Sequence, residues 1–410
     1  MTRFAVAVAL VGIACSGARA VTQADIDAAA PFASRGIGPT VRFLASDRIK
    51  GRDNDTPESL KAQKKLAKAL RRIGEPINPG VKGLEGFSQH YNVRGNIGTN
   101  LLSIMRGTDL ANEYVIVGGH YDHLDTRSSV AGTCSSGRAP GGGICHGATD
   151  NAAGTAAVLA IGRALRRLPT PPRRSVVFAL WDSEEDGLVG SAFYTNNPLV
   201  PLAPTRAYVN FDIQGSDLLP SLASTSFAVG GETGGATLQS IVAAAIGAEG
   251  LGTLPISYIF GQLRSDYASF VANHIPTIFY SDSTNGCYHT IFDDLDVVDW
   301  EKLETQSRIG FRTVAALTET STPPTFVAPN PALAEYADSL TLQTVFTRAQ
   351  SDLALFSPAD QTVVQNIGTS INQVVTDGPG TFDNTDVATL LQAALDGIAA
   401  IQRTGCRPLR

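Results

Sequence analysis

The chain has 410 residues, with 38 acidic and 32 basic side chains, a formal net charge of −6 and 43% hydrophobic residues. That length suits one large α/β domain with an appendage, and the mildly acidic balance argues against nucleic acid as a partner. After the first 20 residues no apolar run is long enough for a membrane span.

Residues 1–20 read as a cleavable secretory signal. Arg3 precedes an apolar run over 4–14, and Ala18-Arg19-Ala20 is an A-x-A cleavage site. Cys15 invites a lipoprotein reading, but Gly12 stands where such a signal usually carries Leu. The mature chain is therefore expected to be exported, periplasmic or secreted. Loss of Arg3 and Arg19 would take its net charge from −6 to −8. Cys134, Cys145, Cys287 and Cys406 then remain. An even count in an exported chain reads as two disulfides, with three connectivities open. Cys134 and Cys145 flank a Gly/Ser-rich loop and are the natural local pair, which leaves Cys287 with Cys406.

Thr56-Pro57 opens a helix that Gly74 closes, with Leu66, Leu70 and Ile73 as its apolar stripe. Its Lys and Arg residues read as a solvated face. Apolar runs at 101–105, 114–117, 175–181, 207–211 and 276–280 predict strands. Helical patterns at 152–168 and 236–248 lie between them. This alternation predicts an α/β fold, a mostly parallel mixed sheet with helices on both faces. A break at Ser321-Thr-Pro-Pro324 divides a domain over 21–320 from a C-terminal helical appendage over 321–410, with helices expected at 331–355, 360–375 and 385–403.

Five segments carry residues suited to metal ligation, most of them at the ends of apolar runs. His120 follows the strand through Gly119, Asp150 sits where a loop turns into a helix, and Glu184-Glu185 follow Trp181. Asp212 follows Phe211, and His289 lies in Gly286-Cys-Tyr-His-Thr290. In an open parallel sheet such positions converge at the carboxyl ends of the strands. A lone Asp at a helix start is ordinarily a cap, but these neighbours favour ligation. Two imidazoles, three or four carboxylates and no thiolate suit zinc, and this many carboxylates suggests two ions sharing one oxygen ligand.

Gly118-Gly-His-Tyr-Asp-His123, Gly147-Ala-Thr-Asp-Asn-Ala-Ala-Gly154 and Ser183-Glu-Glu-Asp-Gly-Leu-Val-Gly-Ser191 resemble the secreted di-zinc aminopeptidase family. So do Val209-Asn-Phe-Asp212, Arg264-Ser-Asp266, Tyr288-His-Thr290 and Leu44-Ala-Ser-Asp-Arg-Ile-Lys-Gly-Arg52, which extends the likeness over roughly 40–318. That family includes bacterial leucyl-type aminopeptidases, with glutamate carboxypeptidases and glutaminyl cyclases as relatives. The resemblance implies the zinc-exopeptidase (phosphorylase/hydrolase-like) fold and two Zn2+ ions. It implies that Asp150 bridges both, with Glu185 and His289 on one and His120 and Asp212 on the other. Glu184 would be the general base that moves the proton of a metal-activated water, and Tyr288 would steady the oxyanion. Asp122 would orient His120, Ser265 would do the same for His289, and the Asp150–Asn151 peptide would be cis.

The sequence departs from the family in three places. Thr149 stands where many members carry a second Asp, the loop 126–146 is longer with its own cysteine pair, and the tail after Pro324 lies outside the common core. His90 and His274 read as ordinary surface or core residues, whereas His123 and His146 lie close enough to line the cleft. The expected activity is cleavage of a peptide or small amide from its N-terminus, with a carboxypeptidase or other amidohydrolase as the alternative. A carboxypeptidase needs a cationic clamp, for which Arg264, Arg127 and Arg138 are the candidates. A non-enzymatic binding module should have lost ligands, and none is missing.

Overall fold

The computed structural model describes residues 20–124, 134, 143–328 and 334–408. The expected signal over 1–19 and the candidate clamps Arg127 and Arg138 lie outside them. Among the described residues, nine strands form one mixed sheet. They are β1 (Glu75–Pro76), β2 (Ser88–Val93), β3 (Asn96–Met105), β4 (Leu110–His120) and β5 (Arg174–Trp181), followed by β6 (Thr205–Phe211), β7 (Thr225–Val229), β8 (Gly252–Ile256) and β9 (Thr277–Ser281). The order is β1-β3-β5-β4-β6-β9-β7-β8, with β2 also paired to β3. The centre, β5-β4-β6-β9, is parallel. β3 joins it antiparallel at one side and β7 at the other.

Helices cover both faces, which is why β5 is buried along its whole length and reads as a continuous apolar run. On one face lie α1 (Gln23–Ala29), α2 (Ile37–Leu44), α3 (Pro57–Leu70) and α4 (Ala153–Leu165), later joined there by α6 (Gly235–Gly247) and α8 (Trp300–Glu319). On the other lie α5 (Val189–Asn196) and α7 (Tyr267–Ala272). The small residues of α4 permit close approach to the sheet. A Cβ on Gly154 would stand 2.1 Å from Asn151 Oδ1 and 2.6 Å from the Phe211 carbonyl oxygen.

The predicted strands and the two named helices are present, with ends shifted by a few residues. β7 and β8 lay outside the strands the sequence predicts. Both are five residues long, and β8 carries Pro255, which the edge of a sheet tolerates. The tail forms α9 (Tyr336–Ala349), α10 (Pro358–Asp377) and α11 (Asn384–Gln402). Leu342, Phe346, Ile371 and Leu390 of these helices share one apolar cluster with β4, β5 and β9. Asp338 of α9 accepts hydrogen bonds from the Ser257 backbone N–H at 2.8 Å and hydroxyl at 2.7 Å, fixing the helix beside β8. Disulfides join Cys134 to Cys145 and Cys287 to Cys406. The second ties the end of α11 to the loop that carries His289.

Candidate metal centre

The parallel strands deliver their polar ends to one rim. His120 ends β4, Glu184 and Glu185 follow β5, and Asp212 follows β6. Consecutive helices cross opposite sides of β4, so the crevice opens at its carboxyl end, where ligands of open α/β sheets bind. Asp150 enters from the turn before α4. The capping role at that helix falls to Asn151, whose Oδ1 accepts from the Gly154 N–H at 3.0 Å. The Asp150 carboxylate is thereby left to face the rim, and the Asp150–Asn151 peptide is cis.

The two oxygens of Asp150 face two separate groups. Oδ1 lies 3.3 Å from His120 Nε2, which is 3.1 Å from Asp212 Oδ1. Oδ2 lies 3.3 Å from His289 Nε2, which is 3.1 Å from Glu185 Oε2. One imidazole N–H cannot point at two acceptors at once, so these contacts converge on a point between the atoms. His123 joins the second group: its Nδ1 is 2.7 Å from Glu185 Oε1 and 3.9 Å from Asp150 Oδ2. The ring is fully buried, yet neither nitrogen makes an aligned hydrogen bond. Three donor sets, His120/Asp150/Asp212, His123/Asp150/Glu185 and His120/Glu184/Glu185, each have atoms within 4.8 Å of one another.

The electrostatics also call for cations. Burial should raise the Asp150 carboxyl, but hydrogen bonds from His120 and His289 hold it well below the usual range. Glu185 is likewise lowered to about 2, with His289 and His123 overriding burial and the Asp150 charge. Burial lowers the His289 imidazole, and Glu185 and Asp150 more than restore it, to about 10. Divalent ions held here would balance the charge of these carboxylates with the imidazoles neutral and ligating. Buried oxygens and neutral imidazole nitrogens in this number fit zinc.

Glu184 differs from its neighbour. Burial, with Asp212 and Glu185 adding to it, pushes its carboxyl well above the ordinary value despite His120. Its nearest imidazole nitrogen, His120 Nε2, is 4.0 Å away. Asp122 serves both glutamates, accepting from the Glu184 and Glu185 N–H groups at 3.3 Å each. It also lies against His120, whose Nδ1 is 3.2 Å from the Asp122 carbonyl oxygen and 3.5 Å from its Oδ1. Tyr288 stacks on His289, ring centroids 3.8 Å apart, and burial raises its hydroxyl above the usual phenol range. Ser265, in the turn before α7, accepts from Asn210 Nδ2 of β6 at 2.7 Å.

Two supporting residues have no role in the sequence reading. Asp293 accepts from the Thr149 N–H at 2.9 Å, the Thr149 hydroxyl at 2.8 Å and the Asp150 N–H at 3.0 Å, clamping the turn that aims Asp150. Arg52, fully buried, donates to the carbonyl oxygens of Tyr121, His146 and Gly147 and so holds both loops that flank the site. Gly51 before it has φ +76°, and a Cβ there would meet the Leu124 carbonyl oxygen at 2.0 Å. Arg52 belonged to a quoted motif, whereas Asp293 lay in no pattern. Of the remaining histidines, His146 pairs with Asp47 at 2.8 Å and His90 with Glu85 at 2.7 Å, and His274 lies against Phe326.

A buried, acid-rich donor cluster on the rim of a parallel sheet is the arrangement of a metallohydrolase. Residues 100–314 match the profile of Peptidase family M28, and the chain belongs to that family. It is 35% identical over 131 residues to mouse (Mus musculus) aminopeptidase NAALADL1, covering 31% of this chain and 15% of that protein. To leupeptin-inactivating enzyme 1 of Streptomyces exfoliatus it is 33% identical over 129 residues, 31% of this chain and 25% of that one. The matches thus span a quarter or less of the length of these curated relatives. The fold is that of the LapA aminopeptidase of Legionella pneumophila, with a TM-score of 0.55 at 18% identity over 73% of this chain and 76% of that one.

Proposed function

We propose that the protein is an exported aminopeptidase that hydrolyses the N-terminal peptide bond at a centre of two zinc ions. The observation that carries this reading is the division of Asp150, one oxygen toward His120 and Asp212, the other toward Glu185 and His289. Asp150 would bridge the ions, and the two groups would complete one each. When bound, zinc supplies Lewis acidity to the scissile carbonyl and acidity to water. Glu184 lies beside the donors with a carboxyl raised by burial, which suits a base that takes a proton from water and passes it to the leaving amine. Asp122 would keep Glu184 and Glu185 in their separate roles through their backbone N–H groups. Tyr288 faces the same hollow as Glu184 and would donate to the developing oxyanion.

Cleavage from the N-terminus is favoured by the charge around the hollow. Asp150, Glu184 and Asp212 line it, against Arg264 as the cation among the described residues. A free α-amine near neutral pH is largely protonated before it binds, and such acids suit it. Arg264, close to the Tyr288 ring, is what a carboxypeptidase would use instead. Export is supported by two disulfides, which persist in oxidising compartments, and no described helix is long and apolar enough to cross a membrane. The test uses one peptide in free, N-acetylated and C-amidated forms, with metal content measured on the same preparation. Acetylation should abolish cleavage and amidation should not. The opposite pattern would establish a carboxypeptidase, with Arg264 as its clamp.

A further inference from the structure

The end of the sheet away from the donors carries a second concentration of charge. Arg71 and Arg72 follow α3, Arg106 follows β3 and Arg166 follows α4. Met105 pairs with Val176 near the start of β5, whose other end leads to Glu184. The four arginines therefore gather at the amino end of the parallel strands, ~20 Å or more from the donor cluster by the rise per residue along β5. There they line one groove of about 470 Å³.

The charge of this groove runs against that of the chain, whose formal net charge is −6. Among the described residues that line it, Glu75 is the lone acid against four guanidiniums. Glu75 stands 3.9 Å from Arg106 with both side chains mostly exposed, so it offsets little. Arg71, Arg72 and Arg166 make no ion pair among the described residues. Arginines elsewhere on the surface do: Arg173 pairs with Asp109, Arg206 with Glu113 and Arg403 with Asp360. Burial, with the Arg72 charge adding to it, lowers the Arg163 guanidinium of α4 to about 10, and its Nη2 is buried without a hydrogen-bond partner. Two like charges are thus held in range of each other, with no acid paired to either among the described residues.

Helix ends do not account for this excess. The C-termini of α3 and α4 each present about half a negative charge, which favours a cation in the last turn. Lys68 and Arg163 already occupy those turns. With both helix ends and Glu75 set against the four arginines, the groove keeps roughly two positive charges. A phosphate monoester carries about −1.5 to −2 near neutral pH and matches that excess better than a single carboxylate does. Guanidiniums also suit phosphate because they bind its oxygens in pairs. Leu168, Pro169 and Pro171 add apolar wall beside the arginines, against which the organic part of an ester would lie.

We propose that this groove binds a phosphate group carried on an organic molecule, at a site separate from the metal centre and independent of the reaction proposed there. A soluble ester and a lipid headgroup would present the same chemistry to the arginines. The test compares the zinc-loaded wild type with Arg72→Gln/Arg166→Gln, and with Arg71→Gln/Arg106→Gln as a second pair, at equal zinc content and with melting profiles checked. Calorimetric titration with phenylphosphonate should reveal a site that each pair weakens at least ~100-fold, since a hydrogen bond to a charged group is worth ~10-fold or more. Benzoate, with a single charge, should bind that site at least ~10-fold more weakly. Sedimentation with phosphatidic acid vesicles, against phosphatidylcholine, separates the two sources. Capture that both pairs abolish makes the headgroup a ligand, and phenylphosphonate binding without capture makes the ligand a soluble ester. Equal affinity for benzoate overturns the assignment to phosphate. Absence of binding to either probe, or binding that neither pair weakens, overturns the site.

Discussion

The two sides of Asp150 are built differently. His120 and Asp212 project from the ends of adjacent central strands, and the His120 side chain is 1% exposed. His289 comes from a loop, has φ +55° and is 32% exposed, though Glu185 and His123 beside it are buried. One side thus inherits rigidity from the sheet. The other depends on a loop, a disulfide and an additional imidazole. The lesson is that a shared carboxylate can join a preorganised half-site to one that must be tied down.

Asp150 belongs to both halves, so its loss is the largest expected effect. Asp150→Ala should strip both ions and abolish turnover, read as metal per chain by atomic absorption. Retention of one ion would mean that the halves do not share this ligand. Glu184→Gln should keep both ions and lower kcat by at least ~10². Near-normal activity there would reverse the roles of Glu184 and Glu185.

The tied-down half is broken by removing its tie. Cys406→Ser opens a bridge that spans 119 residues in sequence, and should cost ~2–4 kcal/mol of stability in denaturant unfolding. One ion should then leave more readily than the other when a chelator is added. Two ions lost in step would show that the halves are not mechanically distinct. His123→Ala acts on the same half more gently. Its ring touches Glu185 at 2.7 Å, and loss of such support typically lowers metal affinity ~10- to 100-fold. Zinc-buffered titration should find that loss on one ion, and unchanged affinity for both would make His123 mere packing.

Much of the donor cluster was legible in the sequence, because a buried parallel strand is an apolar run and the candidate donor comes after it. His120 and Asp212 of the rigid half satisfy that pattern, and so do Glu184 and Glu185 after β5. The loop half was legible through resemblance at Tyr288-His-Thr290. What remained hidden was support that comes from far along the chain. Asp293 clamps Asp150 from 143 residues away and carries no local signal. His123 needed the fold to turn its ring onto Glu185, and the contact of Ser265 with Asn210 could not be read from the segment that carries it. The helices of the tail could be read from their periodicity, but not the sheet edge they cover, since β7 and β8 are short and β8 is interrupted by Pro255.

Buried acids also sharpen the contrast between the centre and the junction of α9 with the sheet. At the centre, imidazoles hold Asp150 and Glu185 ionised. At the junction, it is backbone N–H donors that oppose the rise of the Glu232 carboxyl. Burial, with Asp338 and Glu335 adding to it, raises the carboxyl to about 7, while N–H donors such as that of Tyr258 lower it only in part. The folded state therefore holds this proton more tightly than the unfolded chain, whose carboxyl titrates near ~4.3. The sign follows from linkage. Glu232 leaves stability untouched below the unfolded value and subtracts from it as pH rises through about 7. Glu232→Gln preserves the acceptor for Tyr258 without the charge. It should match the wild type at pH 4.5 and exceed it at pH 8.5 by ~1–2 kcal/mol, the full linkage value being reduced for partial exposure. Urea unfolding at the two pH values measures this directly. No gain at 8.5 would mean that Glu232 folds as an ordinary ionised carboxylate and that the junction tolerates charge as the centre does, whereas an equal gain at pH 4.5 would mean that the cost of this side chain does not come from its charge.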